Sequence, residues 1–231
     1  MPSNKKTLHF LLSAKASAVA VGILGFGMST EWASSTMQCS KKGDNLFNGT
    51  AELKLGLFDG NFIRITCPTF GGEDTVKVLT MLGQVGGAPV VLQALVIFLL
   101  ALCLLGSASS ILITLYNSVS NPYETYMGPL GLYVCSSASA CMSFLAIILY
   151  VVNVTATRMS EGLVENFLGP NSVDLINKSA EMGVGFFMLI PYLVLNLLAI
   201  LLVYLYEHAA YTQRQEQQRP TEDAPKEIMM Y

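Results

Sequence analysis

The side chains in this 231-residue sequence that could do covalent or ligand chemistry are five cysteines, two histidines and three asparagines in acceptor sequons. The cysteines form no Cys-x-x-Cys pair and the histidines, His9 and His208, lie far apart, so no zinc framework and no cofactor are expected. Catalysis needs a nucleophile or metal with an oriented base. His9 and His208 each border an apolar segment without a carboxylate cluster, so neither an enzyme nor a small-molecule substrate is expected. What remains is the chemistry of a secreted face. Cys39 and Cys67 can oxidise to a disulfide, and Asn48-Gly49-Thr50 can carry a glycan.

The elements that place these residues are set by charge gaps. Apolar residues make up 52% of the chain and charged residues 13%, against about a quarter in a soluble domain, and mean hydropathy is +0.51. Between Lys77 and Arg158 the single Asp, Glu, Lys or Arg is Glu124, and between Glu181 and Glu207 there is none. A spanning helix needs about 20 apolar residues, and four stretches qualify: 7–28, 88–116, 129–152 and 183–206. Hydrocarbon leaves no partner for free backbone groups, so these are helices. The predicted fold is an all-α four-helix membrane bundle in contact with the lipid bilayer. No basic face suits nucleic acid at a net charge of −3.

Lys5-Lys6 before the first segment also fits a secretory signal peptide, but the apolar run to Met28 exceeds a typical h-region of about 7–15 residues. An uncleaved helix is the reading taken. Lys15 lies inside it, and with no acidic residue in any segment to pair with, its stem is expected to snorkel toward the headgroups. Lys5, Lys6, Arg214, Arg219 and Lys226 flank the bundle on the stub and tail, whereas Arg158 and Lys178 are the basic residues of the loop 153–182. The positive-inside rule then puts both termini in the cytoplasm and 29–87 and 153–182 outside, at the plasma membrane.

The first outer loop, 29–87, holds Cys39, Asn48 and Cys67; closing it would stabilise it by roughly 3–4 kcal/mol. Leu53, Leu55 and Leu57 alternate with polar residues or Gly56, as do Ile63, Ile65 and Cys67, with Asp59-Gly60 between them as a turn signal. A three-residue loop, Asp59-Gly60-Asn61, pairs Leu57 with Ile63, Leu55 with Ile65 and Leu53 with Cys67 on one apolar face, with Asn61 left-handed. A small outer β-sheet is therefore predicted, packed on the bundle or on a strand near residues 32–39.

Trp32 soon after the first helix, Gly56-Leu57-Phe58, and the two loop cysteines resemble the loop pattern of the claudin-like tetraspan superfamily. Phe58 stands where claudins have Trp, and Cys39 precedes the Gly-Leu-Phe, an arrangement similar to the clarin family. The resemblance extends through Lys5-Lys6-Thr7-Leu8, Tyr116 to Tyr123, and Gly128-Pro129-Leu130-Gly131-Leu132-Tyr133. The tail, with Arg214-Gln215-Glu216-Gln217 and Ala224-Pro225, is most similar to one paralogue group of that family. The resemblance implies a glycosylated Asn in the first loop, matched by Asn48, and a role in sensory-cell membranes such as hair-cell bundles or synapses.

The other segments read mostly as structure. Residues 117–128 form a turn-rich cytoplasmic link. Small residues in helix three (Gly131, Cys135, Ser139, Ser143), in helix two (Gly106, Ser110) and in helix one (Ala18, Gly22) are expected to pack within the bundle. Pro191 should bend helix four, and Asn196 should bond across the bundle. Ser160 to Leu168 can form a helix that prolongs helix three, stopped by Gly169-Pro170. Asn153 abuts the bilayer, and Asn177 is a weaker glycan candidate than Asn48. The polar tail 207–231 reads as disordered, and its end, with Met229 and Tyr231, fits strand addition to a PDZ domain. The function expected is a non-enzymatic tetraspan that organises membrane contacts or complexes with membrane or scaffold proteins. An auxiliary subunit of an ion channel is the alternative.

Overall fold

The computed structural model describes residues 4–41, 49–65, 71–119, 129–169 and 173–218. Among these, four segments are long and apolar enough to span a bilayer: Thr7–Ser29, Ala88–Val119, Leu130–Thr155 and Val184–Thr212. They belong to α1 (Asn4–Ser29), α3 (Ala88–Val119), α4 (Pro129–Thr155), and the pair α6 (Val184–Phe187) and α7 (Leu189–Gln218). The long helices close a ring in which α1 packs on α3 and α7, and α4 packs on the same two.

Small residues set the closest approaches. A Cβ on Gly106 of α3 would collide with the Ser139 hydroxyl of α4, and one helical turn on, Ser110 and Ser136 share a hydrogen bond of 2.9 Å. The helix-three row thus packs inside the bundle. Ala18 and Gly22 do not: both lie on an outward face of α1, and nothing stands within 4 Å of where a Gly22 Cβ would be. Lys15 is exposed on the protein surface and has no ion pair among the described residues. Asn196 is buried but donates to the Tyr192 carbonyl of its own helix, 2.9 Å away, not across the bundle. The bond across the bundle comes from Tyr192, whose hydroxyl pairs with Ser107 at 2.7 Å and donates to the Cys103 carbonyl at 3.1 Å.

Helix four breaks at Met188, between α6 and α7. The cause is Pro191, which has no N–H for the Phe187 carbonyl four residues back. At the other end α7 continues to Gln218, so the tail residues 207–218 are helical and not disordered. Ala, Gln, Glu and Arg dominate that stretch, and all four favour a helix.

Beyond one end of the bundle lies an antiparallel sheet in the order β4-β3-β2-β1-β5, with β1 Glu31–Lys41, β2 Gly49–Gly56, β3 Asp59–Ile65, β4 Gly72–Lys77 and β5 Val173–Met182. Two short helices, α2 (Val78–Val85) and α5 (Met159–Leu168), cover its inner face. Phe62 stands edge-on to Phe167 of α5 at 5.0 Å, and Arg64 lies over the same ring while pairing with Asp74. Arg158, left-handed at φ 52°, separates α5 from α4, so α5 is a new helix and not a prolongation of helix three.

The hairpin register differs from expectation. Leu55 pairs with Gly60 and Leu53 with Phe62, so the turn is Leu57-Phe58 and Asp59-Gly60 begin the next strand. Ile63 and Ile65 therefore point away from the core, with Ile65 62% exposed, while Phe62 takes the inward place. Asn61 is not left-handed. The core runs without a break from Ala20 and Leu24 of α1, through Trp32 and Tyr150, to Leu53, Leu55 and Phe62 of the sheet.

Candidate functional site

The residues singled out in the first loop converge where the sheet meets the bundle. Trp32, the second residue of β1, comes three residues after α1 ends and is fully buried. Its indole N–H donates at 2.7 Å to the Gly27 carbonyl, one of the acceptors a helix leaves unpaired in its last turn. The ring stands edge-on to Tyr150 of α4 at 5.0 Å, and Tyr150 stacks at 6.0 Å on Phe186 of α6. Gly185 permits this contact, since a Cβ there would lie 2.5 Å from the indole. The Trp32 carbonyl accepts from the Gly183 N–H at 2.8 Å. One side chain and its carbonyl thus tie α1, α4 and α6 to the first strand.

Gly56-Leu57-Phe58 forms the hairpin tip. Leu57 is buried, and its carbonyl accepts from the Gln93 amide of α3 at 3.0 Å. The Phe58 carbonyl accepts from the Val78 N–H at 2.9 Å, while the ring stays 44% exposed. Gln93 Oε1 in turn accepts from the Asn153 amide at 3.3 Å, and Thr157 donates to Asn153 Oδ1 at 3.0 Å. Ser35 of β1 and Ser160 of α5 complete the set with a buried hydroxyl pair at 2.7 Å. Burying an amide costs about 1–3 kcal/mol unless it is bonded. Here the Gln93 amide fixes the hairpin to α3, and the Asn153 amide holds Gln93 from α4. Sequence reasoning missed Gln93, Ser160 and Gly185. Gln93 was the findable one, an amide near the start of the longest apolar run.

The remaining predicted residues scatter. Asn153 is fully buried, which removes it as a glycan acceptor. Asn177 is exposed, left-handed at φ 48° in a bulge of β5, and bonded to Gln38 at 2.7 Å. Cys39 is buried on the inner face of β1, and Cys67 and Asn48 lie outside the described residues, as do Met229, Tyr231 and the link 120–128. The hairpin register turns Ile63 and Ile65 away from the face on which Cys39 is buried. β3 ends at Ile65 on the same end of the sheet as Cys39: Gln38 pairs with Thr50, and Thr50 with Ile65. Among the described residues no group of three His, Cys, Asp or Glu could hold a metal. The arrangement can position a surface; the contacts described provide no reacting group.

No family model matches the chain. It aligns end to end with mouse clarin-3, 33% identical over 235 residues and 100% of both chains. Human clarin-3 is 30% identical over 233 residues, again 100% of both. Mouse clarin-1 is 29% identical over 174 residues, covering 70% of this chain and 72% of that protein. Four apolar helices, a small sheet beyond them and 33% identity to mouse clarin-3 along the whole of both chains together place this chain in the clarin family.

Proposed function

We propose that this protein is a non-enzymatic tetraspan of the plasma membrane, with both termini in the cytoplasm, that organises membrane contacts or complexes through its outer sheet. The observation that carries the reading is the continuous core joining sheet and bundle. A sheet fixed to its helices presents a surface of constant orientation to a neighbouring membrane or scaffold protein, which a tethered loop would not. Basic residues on stub and tail support the sidedness. The outer loop carries a Cys39–Cys67 disulfide and its principal glycan on Asn48. The C-terminal Met229-Met230-Tyr231 offers a strand to a PDZ domain, and by family resemblance the setting is a sensory-cell membrane.

Proximity labelling from the tagged full chain in its native tissue tests the role. Adhesion or cytoskeletal-linker proteins are the expected catch; recovery of channel subunits in their place would overturn it in favour of an auxiliary subunit. Sidedness is tested by protease on intact cells, which should spare epitopes at both ends. Asn48→Gln should abolish the glycosidase-sensitive gel shift, and a full residual shift would move the glycan to Asn177.

A further inference from the structure

An open groove of about 490 Å³ lies where α1 ends, walled by the β2–β3 hairpin and the start of α6. That volume is within the range of small-molecule sites, about 300–1,000 Å³. The floor is apolar, with Phe26 56% and Val184 55% exposed. The rim is charged: Glu31, Asp59 and Lys54. On the other side of the hairpin tip a second groove of about 480 Å³ runs over Gly25, Met28 and Phe58, and the two meet at Ser29, Thr30, Gly56 and Asp59.

Depth in the bilayer decides what can enter. The span Thr7–Ser29 is about 34 Å long at helical rise, so its end at Ser29 reaches the headgroup level on the sheet side. The grooves open there, apolar below and charged above. Beneath them, Gly22 and Gly25 leave the backbone of α1 bare, with nothing within 4 Å of either Cβ position. Hydrocarbon can lie flat on that strip.

From this geometry we infer that the paired grooves hold one zwitterionic diacyl phospholipid from the leaflet on the sheet side. Lys54 takes the phosphate. Its one ion pair among the described residues is with Glu52 at 3.6 Å, both groups being partly exposed, which contributes little and leaves the ammonium available. Glu31 and Asp59, without an ion pair among the described residues, take the lipid's ammonium. The two chains descend on either side of the hairpin tip, one over Phe26 and Val184, the other over Phe58 and Gly25. Two carboxylates against one ammonium repel a lipid of net negative charge. A sterol, with one hydroxyl, would leave the three rim charges unmatched. The site depends on the four-helix span and is indifferent to which side of the membrane the sheet faces.

The test uses the full chain in nanodiscs of equal phosphatidylcholine, phosphatidylglycerol and cholesterol, released into the gas phase for native mass spectrometry. Wild type should retain one phosphatidylcholine in preference to phosphatidylglycerol by at least fivefold. Lys54→Ala should lower retention of both phospholipids, since both carry the phosphate, while keeping the preference for phosphatidylcholine, and the Glu31→Gln/Asp59→Asn pair should invert it toward phosphatidylglycerol. Equal retention of the two lipids by wild type, retention of cholesterol alone, or a second copy of the chain in place of a lipid would each overturn the inference. A photoreactive phosphatidylcholine on wild type needs no variant to fold. Its label should map to residues 25–31 and 54–61, and label elsewhere would refute the site.

Discussion

The two ends of the bundle are held by different means. At the sheet end, Trp32, Tyr150, Gln93 and Asn153 are fully buried, each contacts a second element, and all lie in or beside one core. At the opposite end a small cluster of Phe10, Leu132 and Val203, flanked by Tyr133 and Tyr206, closes the helices. Hydroxyls supply its polar ties: Tyr133 donates to Glu207 at 2.6 Å, only partly buried, and Ser13, one turn along α1, donates to the Ala199 carbonyl at 3.0 Å. Tight packing and bonded amides specify one arrangement; a few aromatic contacts at a lipid boundary hold helices together without dictating what sits above them. The difference locates the fold's specificity at the sheet end.

Substitutions can break that contrast or sharpen it. Trp32→Ala should have the largest effect, about 3–5 kcal/mol of stability, read as loss of surface delivery and a lower melting temperature in detergent. Phe10→Ala at the other end should cost clearly less, and an equal cost would erase the contrast. Cys39→Ser and Cys67→Ser should each cost roughly 3–4 kcal/mol in outer-loop stability. The double variant should be no worse than either in surface expression; a clearly worse double, or a free thiol in wild type, would break the pairing. Gln93→Leu should cost about 1–3 kcal/mol, because it strands the Leu57 carbonyl and the Asn153 amide. Adding Asn153→Leu should cost less than the sum of the two singles in thermal melts, since they share one bond. Tyr133→Phe should cost the least, about 0.5–1.5 kcal/mol, with the sheet epitope unchanged on intact cells.

Much of the fold was legible because hydrocarbon imposes a simple rule. Long runs without charge must be helices, so 7–28, 88–116, 129–152 and 183–206 fall on the four spans. Where the chain returns to water the rule lapses, and the ends slip: α3 runs on to Val119 and α7 to Gln218. The hairpin shows a second limit. Asp59-Gly60 carries the stronger local turn signal, yet the turn is Leu57-Phe58, because Gln93 and Val78 hold the carbonyls of those two residues. Tertiary partners outbid local propensity there. The same limit hid the junction. Trp32 and Leu57 stood out in sequence, but Gln93, Ser160 and Gly185 acquire a role only once distant segments meet.

The outermost strand on the β1 side has a consequence for how the molecule is made. β5 comes from the segment between the third and fourth spans, and its Ser179 hydroxyl meets Thr36 of β1 at 2.6 Å across 143 residues of sequence. At a synthesis rate of about 5–20 residues per second, β1 must wait roughly 7–30 s for that neighbour. Throughout the interval β1 presents an open edge able to pair with a foreign chain. The last span must also have been threaded, because α6 follows β5 directly and Gly183 caps Trp32. Biogenesis therefore has a late commitment step. Until the fourth helix enters the membrane, the first loop is a nascent domain with one strand edge unpaired.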